Sequence, residues 1–141
     1  RSVSAFLLNR SSDLFYLGCK AGVALSPSVP LEAIEFYLPL LDKVTIMIVD
    51  PGISGQKVDP QMFVKIKKLA KIRKERNLNF LIEADGSMNK ELYAPLYKAG
   101  ADMVILGPPA LWNKDEDFSK AWEIMENEVE TELQGVERDA I

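Results

Sequence analysis

Two stretches of this chain end an apolar run abruptly in an acid and glycine-bearing turn residues. They are Val49-Asp50-Pro51-Gly52-Ile53-Ser54-Gly55-Gln56 and Ile82-Glu83-Ala84-Asp85-Gly86-Ser87. The separation between them is that of one βα unit with its loops. Parallel α/β proteins carry their chemistry on the loops at the carboxyl ends of their strands. A strand, an acid and an anion-cradling loop, written twice, imply a phosphorylated small molecule handled by a β/α barrel. Asp85 is the expected reactive group.

The hydrophobic period extends this reading along the chain. Short strands are expected at 19–25, 44–49, 80–84 and 102–106. The run at 44–49 is continuously apolar, as in a parallel strand covered on both faces. Helices are expected between them. Pro30 suits the first turn of one over 31–41, with Ser28 or Val29 near its cap. Pro60 opens a second through about residue 77, where Met62, Phe63, Ile66, Leu69 and Ala70 form an apolar stripe beside a lysine-rich face. Asn89 caps a third over 90–98, stopped by Gly100. A fourth runs over about 115–133, and a short helix starts at Pro108 and reaches Trp112. Alternation at this spacing argues for a parallel α/β fold. Residues 1–18 form a lead-in that does not fit the pattern, 19–134 a partial barrel and 135–141 a tail. Four βα units do not close an eight-stranded barrel, which usually needs about 250 residues.

Composition limits the partners. The 141 residues fit one domain by length, and 48% are hydrophobic, enough for a core. A net charge of -4 excludes the basic surface that non-specific nucleic-acid or anionic-membrane binding needs. It does not exclude an anionic substrate, since α/β phosphate sites use backbone N–H groups. The single cysteine, Cys19, rules out an internal disulfide and suits a reducing cytoplasm. No apolar run is long enough to span a membrane. The chain contains no histidine.

Glu83 and Asp85, two apart on a strand, share a face; Ile82 and Ala84 point oppositely, toward covering helices. In a barrel the acids face inward and Asp85 stands at the rim, where a carboxylate serves as a general acid/base or a metal ligand. The alternative is structural: Asp85 caps the following turn and Glu83 makes a core ion pair. Residues 50–56 form a loop whose glycines can turn successive N–H groups onto one anion. A plain turn is the alternative there, because the loop lacks the lysine of a P-loop and the spacing of a dinucleotide fingerprint. Met47, on the face of Val49, reads as core.

Taken together, the runs at 21–30, Met47-Ile48-Val49-Asp50-Pro51-Gly52-Ile53-Ser54-Gly55-Gln56 and Glu83-Ala84-Asp85-Gly86-Ser87 resemble the ribulose-phosphate 3-epimerase family in order and spacing. The Asp85-Gly86-Ser87 form, with Leu111-Trp112-Asn113 and the Glu116-Asp117…Ala121-Trp122 helix, is most similar to the allulose-6-phosphate 3-epimerase branch. The resemblance implies the carboxyl-terminal half of a (β/α)8 ribulose-phosphate-binding (TIM) barrel. It implies an isomerase that inverts C3 of a ketose phosphate by two-carboxylate proton transfer through a metal-stabilised enediolate. On that basis Asp85 is catalytic and a metal ligand. Gly52, Ile53, Ser54, Gly55, Gly86, Ser87 and Gly107 bind the substrate phosphate, and Met47 lines the reaction chamber. The implied cofactor is a divalent metal of the Zn, Fe, Mn, Co or Mg type.

Two departures accompany the resemblance. The family's other aspartate and its metal histidines lie upstream of the matching strands, so this chain would hold one catalytic carboxylate of two and one metal ligand of four. Where the family has Gly-Thr-Ser or Gly-Gly-Ser, the chain reads Gly107-Pro108-Pro109. Proline has no N–H, and loss of one charge-assisted donor weakens binding about tenfold or more. The expected function is therefore a ketose-phosphate 3-epimerase. The alternative is a noncatalytic sugar-phosphate-binding or assembly half-barrel. Homo-oligomerisation, or association with a missing half, is expected either way.

Overall fold

The computed structural model describes residues 18–52 and 55–139. Among the described residues four parallel strands form one sheet in sequential order: β1 (Gly22–Leu25), β2 (Lys43–Met47), β3 (Leu81–Asp85) and β4 (Met103–Val104). Helices α1 (Gln61–Glu75) and α2 (Lys90–Ala99) make the crossovers, and α3 (Phe118–Leu133) follows β4. Strand–helix alternation with strictly parallel pairing is the α/β fold read from the sequence, and it is consistent with part of a TIM barrel. The lead-in over 1–17 lies outside the described residues.

Several elements differ from the sequence expectation. The 31–41 helix is instead two 3₁₀ stretches, Leu31–Ala33 and Glu35–Leu40, separated by Ile34. Pro39 lies inside the second; its missing N–H and its ring oppose the i→i−4 ladder of an α-helix. Pro30 caps the first without a side-chain bond, so neither Ser28 nor Val29 does so. Strand β1 starts at Gly22 rather than 19. Ala21 is held instead by the β2 approach: its N–H donates to Asp42 Oδ2 at 2.7 Å and its carbonyl accepts from Asp42 N–H, also at 2.7 Å. Strand β4 is two residues long, and α3 begins at Phe118, where Asp117 accepts from Ser119 and Lys120 N–H. Helix α2 follows the expected signals: Asn89 Oδ1 accepts from Glu91 N–H, and Gly100 closes the helix at φ 101°.

The two sheet faces have opposite fates. Val23, Leu25, Val44, Ile46, Ile48, Ile82 and Ala84 are buried against the helices, with Ile66, Leu69 and Leu96 across from them. Val104, paired with Ala84, belongs to this covered face. The other face carries Lys43, Thr45, Met47, Glu83, Asp85 and Met103, aligned by the register Thr45↔Glu83↔Met103 and Met47↔Asp85. Leu81, Met103 and Ile105 remain 48%, 41% and 40% exposed there.

Glu83 takes the structural role. Its carboxylate accepts from Thr45 Oγ1 at 2.7 Å and pairs with Lys43 Nζ at 2.8 Å. The ion pair sits one strand-face step below Asp85. On the opposite side, Asp102 locks strand to helix. It accepts from Arg73, from Arg138 at 3.1 Å and from Ile82 N–H at 2.9 Å. Lys65 on α1 donates to the carbonyls of Ser26, Pro27 and Val29 at 3.0, 3.2 and 2.5 Å, fixing the loop after β1. Burial lowers the Lys65 pKa from its ordinary value.

Candidate functional site

The carboxyl ends of β2, β3 and β4 open into one cleft of about 810 Å³. Each strand delivers its own loop to it, for a local reason in each case. After β2, Asp50-Pro51-Gly52 turns sharply; Gly52 and Gly55 take φ 90° and 76°, values that side chains oppose. Gln56 Nε2 donates to Asp50 O at 2.8 Å, tying the loop's ends together. After β3, Gly86 and Ser87 follow one another at φ 129° and 45°. Successive residues at positive φ turn the chain back at once beyond Asp85, and Asn89 Nδ2 holds the turn through Ser87 O at 3.2 Å. After β4, Gly107 enters a π-helical turn, Pro108–Trp112, whose Ala110 and Leu111 N–H groups both point back to Gly107 O.

Met47, Gly52, Gly55, Asp85, Gly86, Ser87 and Gly107 all line this cleft. Ile53 and Ser54 lie outside the described residues. Asp85 closes β3 opposite Met47 and is half-buried, while its carbonyl accepts from Ile48 N–H at 2.8 Å. Its carboxylate makes no hydrogen bond to a described residue, so it does not cap the turn. It is available to a bound molecule. Met88, 2% exposed, backs the wall behind it.

The cleft also collects Asp50 and Gln56, the ends of the 50–56 loop, and three residues that no site motif marks: Asn89, Ile105 and Asn113. Asn89 was legible only as a helix cap. Asn113 follows the π-helical turn, and no spacing rule connects it to strand ends. For a metal, the donor set does not suffice by itself: among the described residues no group of three Asp, Glu, Cys or His could hold an ion. No described helix is long and apolar enough to cross a membrane.

The parallel sheet with a cleft at its carboxyl end defines an α/β protein whose candidate site lies where ligands of such folds bind. The pattern of the ribulose-phosphate 3 epimerase family matches residues 11–110. The chain belongs to that family. A ribulose-phosphate 3-epimerase of Methanocaldococcus jannaschii is 40% identical over 110 residues, covering 78% of this chain and 45% of that protein. One from Synechocystis sp. is 40% identical over 91 residues, covering 64% and 40%. The chloroplastic ribulose-5-phosphate-3-epimerase of Arabidopsis thaliana is 39% identical over 99 residues, covering 70% and 35%. The chain thus spans less than half the length of these relatives. The family match begins within the 1–18 lead-in and ends within the π-helical turn.

Proposed function

We propose that the chain forms the carboxyl-terminal half of a ketose-phosphate 3-epimerase barrel, of the ribulose 5-phosphate or allulose 6-phosphate type. The observation that carries this reading is the convergence of three glycine-bearing strand-end loops on a single cleft, with the Asp85 carboxylate at the end of β3 and Asp50 on the first loop both lining it. The phosphate end of the substrate lies among Gly52, Gly55, Gly86-Ser87 and Gly107, with Ile53 and Ser54 completing the first loop, and Met47 forms an apolar wall. Backbone N–H groups suit a dianion on an acidic protein because they add local positive potential without net charge. Holding the far end places C3 beside Asp85. The carboxylate takes the C3 proton, an enediolate forms, and a second carboxylate on the opposite face returns a proton to invert the centre. That second group comes from outside the matched strands.

In the complete barrel a divalent ion of the Zn, Fe, Mn, Co or Mg type would supply Lewis-acid polarisation of the carbonyl. Asp85 is the one ligand assigned from this chain, and the described donor set does not make a site without others. The allulose-phosphate branch is favoured by Asp85-Gly86-Ser87 and Leu111-Trp112-Asn113. A reducing cytoplasm is the compartment proposed, on the single Cys19. The second reading, a noncatalytic sugar-phosphate-binding or assembly half-barrel, rests on the absence of half the catalytic set from the matched strands, and the exposed apolar residues Leu81, Met103 and Ile105 suit an assembly role.

Exchange of the C3 hydrogen of ribulose 5-phosphate and allulose 6-phosphate with solvent, with and without added divalent metal, tests the reading. Exchange that requires Asp85 supports the epimerase. Tight sugar-phosphate binding with no exchange, even when an upstream half-barrel is supplied, favours the second reading.

A further inference from the structure

The rim of the cleft after β4 is poor in donors. Pro108 and Pro109 have no N–H, and both line the cleft. The Asn113 N–H donates to Pro108 O at 2.8 Å. Of the lining groups on this rim, only the Gly107 N–H and the Asn113 carboxamide remain to meet a ligand. The three carboxamides lining the cleft also differ. Gln56 holds Asp50 O, and Asn89 bonds both Ser87 O and Glu91 N–H. Asn113 makes no side-chain hydrogen bond to any described residue.

Its backbone is nevertheless held on both sides. Lys114 N–H donates to Leu111 O at 3.0 Å, and Lys114 Nζ reaches both oxygens of Glu128 on α3 at 2.5 Å. Leu111 is buried against Ala121 and Met125. A free amide on a fixed backbone can bind without ordering its backbone, so only its own side-chain rotamers are immobilised.

Resting on the sugar-phosphate reading above, we propose that Asn113 is a substrate-binding residue. Its Nδ2 donates to the phosphoryl group and replaces a backbone donor that this rim lacks. Asn113 thereby contributes to the preference for phosphorylated over unphosphorylated ketose.

The test is calorimetric titration of the whole chain with ribulose 5-phosphate, ribulose and inorganic phosphate. The parent is compared with Asn113→Ala and Asn113→Asp. The exposed, unbonded side chain predicts unchanged thermal unfolding in both variants. Asn113→Ala is expected to weaken ribulose 5-phosphate and phosphate about tenfold, the loss of one hydrogen bond to a charged group. Asn113→Asp, with a like charge, should weaken them further. Affinity for ribulose should not move. Equal affinity of the parent and both variants for ribulose 5-phosphate overturns the assignment of Asn113 and leaves the sugar-phosphate reading intact. A parent that binds ribulose and ribulose 5-phosphate alike overturns both.

Discussion

Gly86 leaves no room for a side chain against Val49: a Cβ at 86 would stand 2.5 Å from Val49 Cγ2 and 3.3 Å from Val49 N. The residue also holds φ 129°. Two demands meet at one position, close approach between the β2 and β3 loops and a backbone conformation that side chains rarely adopt. Gly86→Ala should therefore cost about 2–4 kcal/mol, combining backbone strain and overpacking. Gly52 and Gly55 also have positive φ but nothing within 4 Å of a built Cβ, so alanine there should cost only about 1 kcal/mol. Urea unfolding of the three variants checks the order; equal losses would mean that the Val49 contact is unimportant.

Asp85→Asn keeps the strand end and the turn chemistry but removes the carboxylate. No described residue bonds that carboxylate, so stability should change by less than about 0.5 kcal/mol. In an active barrel containing this half, turnover and C3 hydrogen exchange should fall together by about 10²–10⁴-fold. Near-parental exchange in the Asn variant would remove Asp85 from the chemistry.

Asp102 sets an acid limit on stability. Burial by itself would raise its pKa, but bonds from Arg73, Ile82 N–H and Arg138 outweigh burial and hold it below the ordinary 3.8. A carboxylate depressed in the folded state stabilises fully above its unfolded pKa and loses that contribution as pH falls through the folded one. The contribution should thus be intact above about 3.8 and decline below it. Asp102→Asn should cost about 3 kcal/mol near neutrality, since Arg73 is left part-buried without its charge partner. The difference between parent and variant should shrink at acid pH. Thermal melts at pH 7 and at pH 3 compare the two, and a pH-independent difference would contradict the linkage.

Apolar exposure on the second sheet face predicts association. Leu81, Met103 and Ile105 lie on it, and the outer sides of β1 and β4 pair with no described strand, a pattern that promotes edge pairing. Sedimentation should show concentration-dependent association of the isolated chain, reduced by Met103→Lys with Ile105→Lys. A monodisperse monomer with one cooperative calorimetric transition would oppose this.

Signals confined to one turn of chain could be read directly. Asn89 and Gly100 bound α2 because a side-chain cap and a left-handed glycine act on their own backbone. The strand-then-glycine segments at 49–56 and 82–87 announced turns for the same reason. The 31–41 segment misled because its apolar spacing suits an α-helix, while Pro39 makes the tighter 3₁₀ path the accessible one. The resemblance to known epimerases, carried by those loops, supplied the family, which periodicity could not.

The sequence by itself determined the alternation of strands and helices, the glycine turns after the strands and the identity of Asp85 as the strand-end acid, because each depends on residues a few positions apart. Tertiary structure decided what those elements face. Glu83 became a structural ion pair because Lys43 and Thr45, some forty residues earlier, occupy the neighbouring strand at matching register. Asn113 entered the cleft because the Lys114–Glu128 pair and the Leu111 cluster pin the turn after β4 against α3. Register and packing join residues distant in sequence, so no local pattern encodes them.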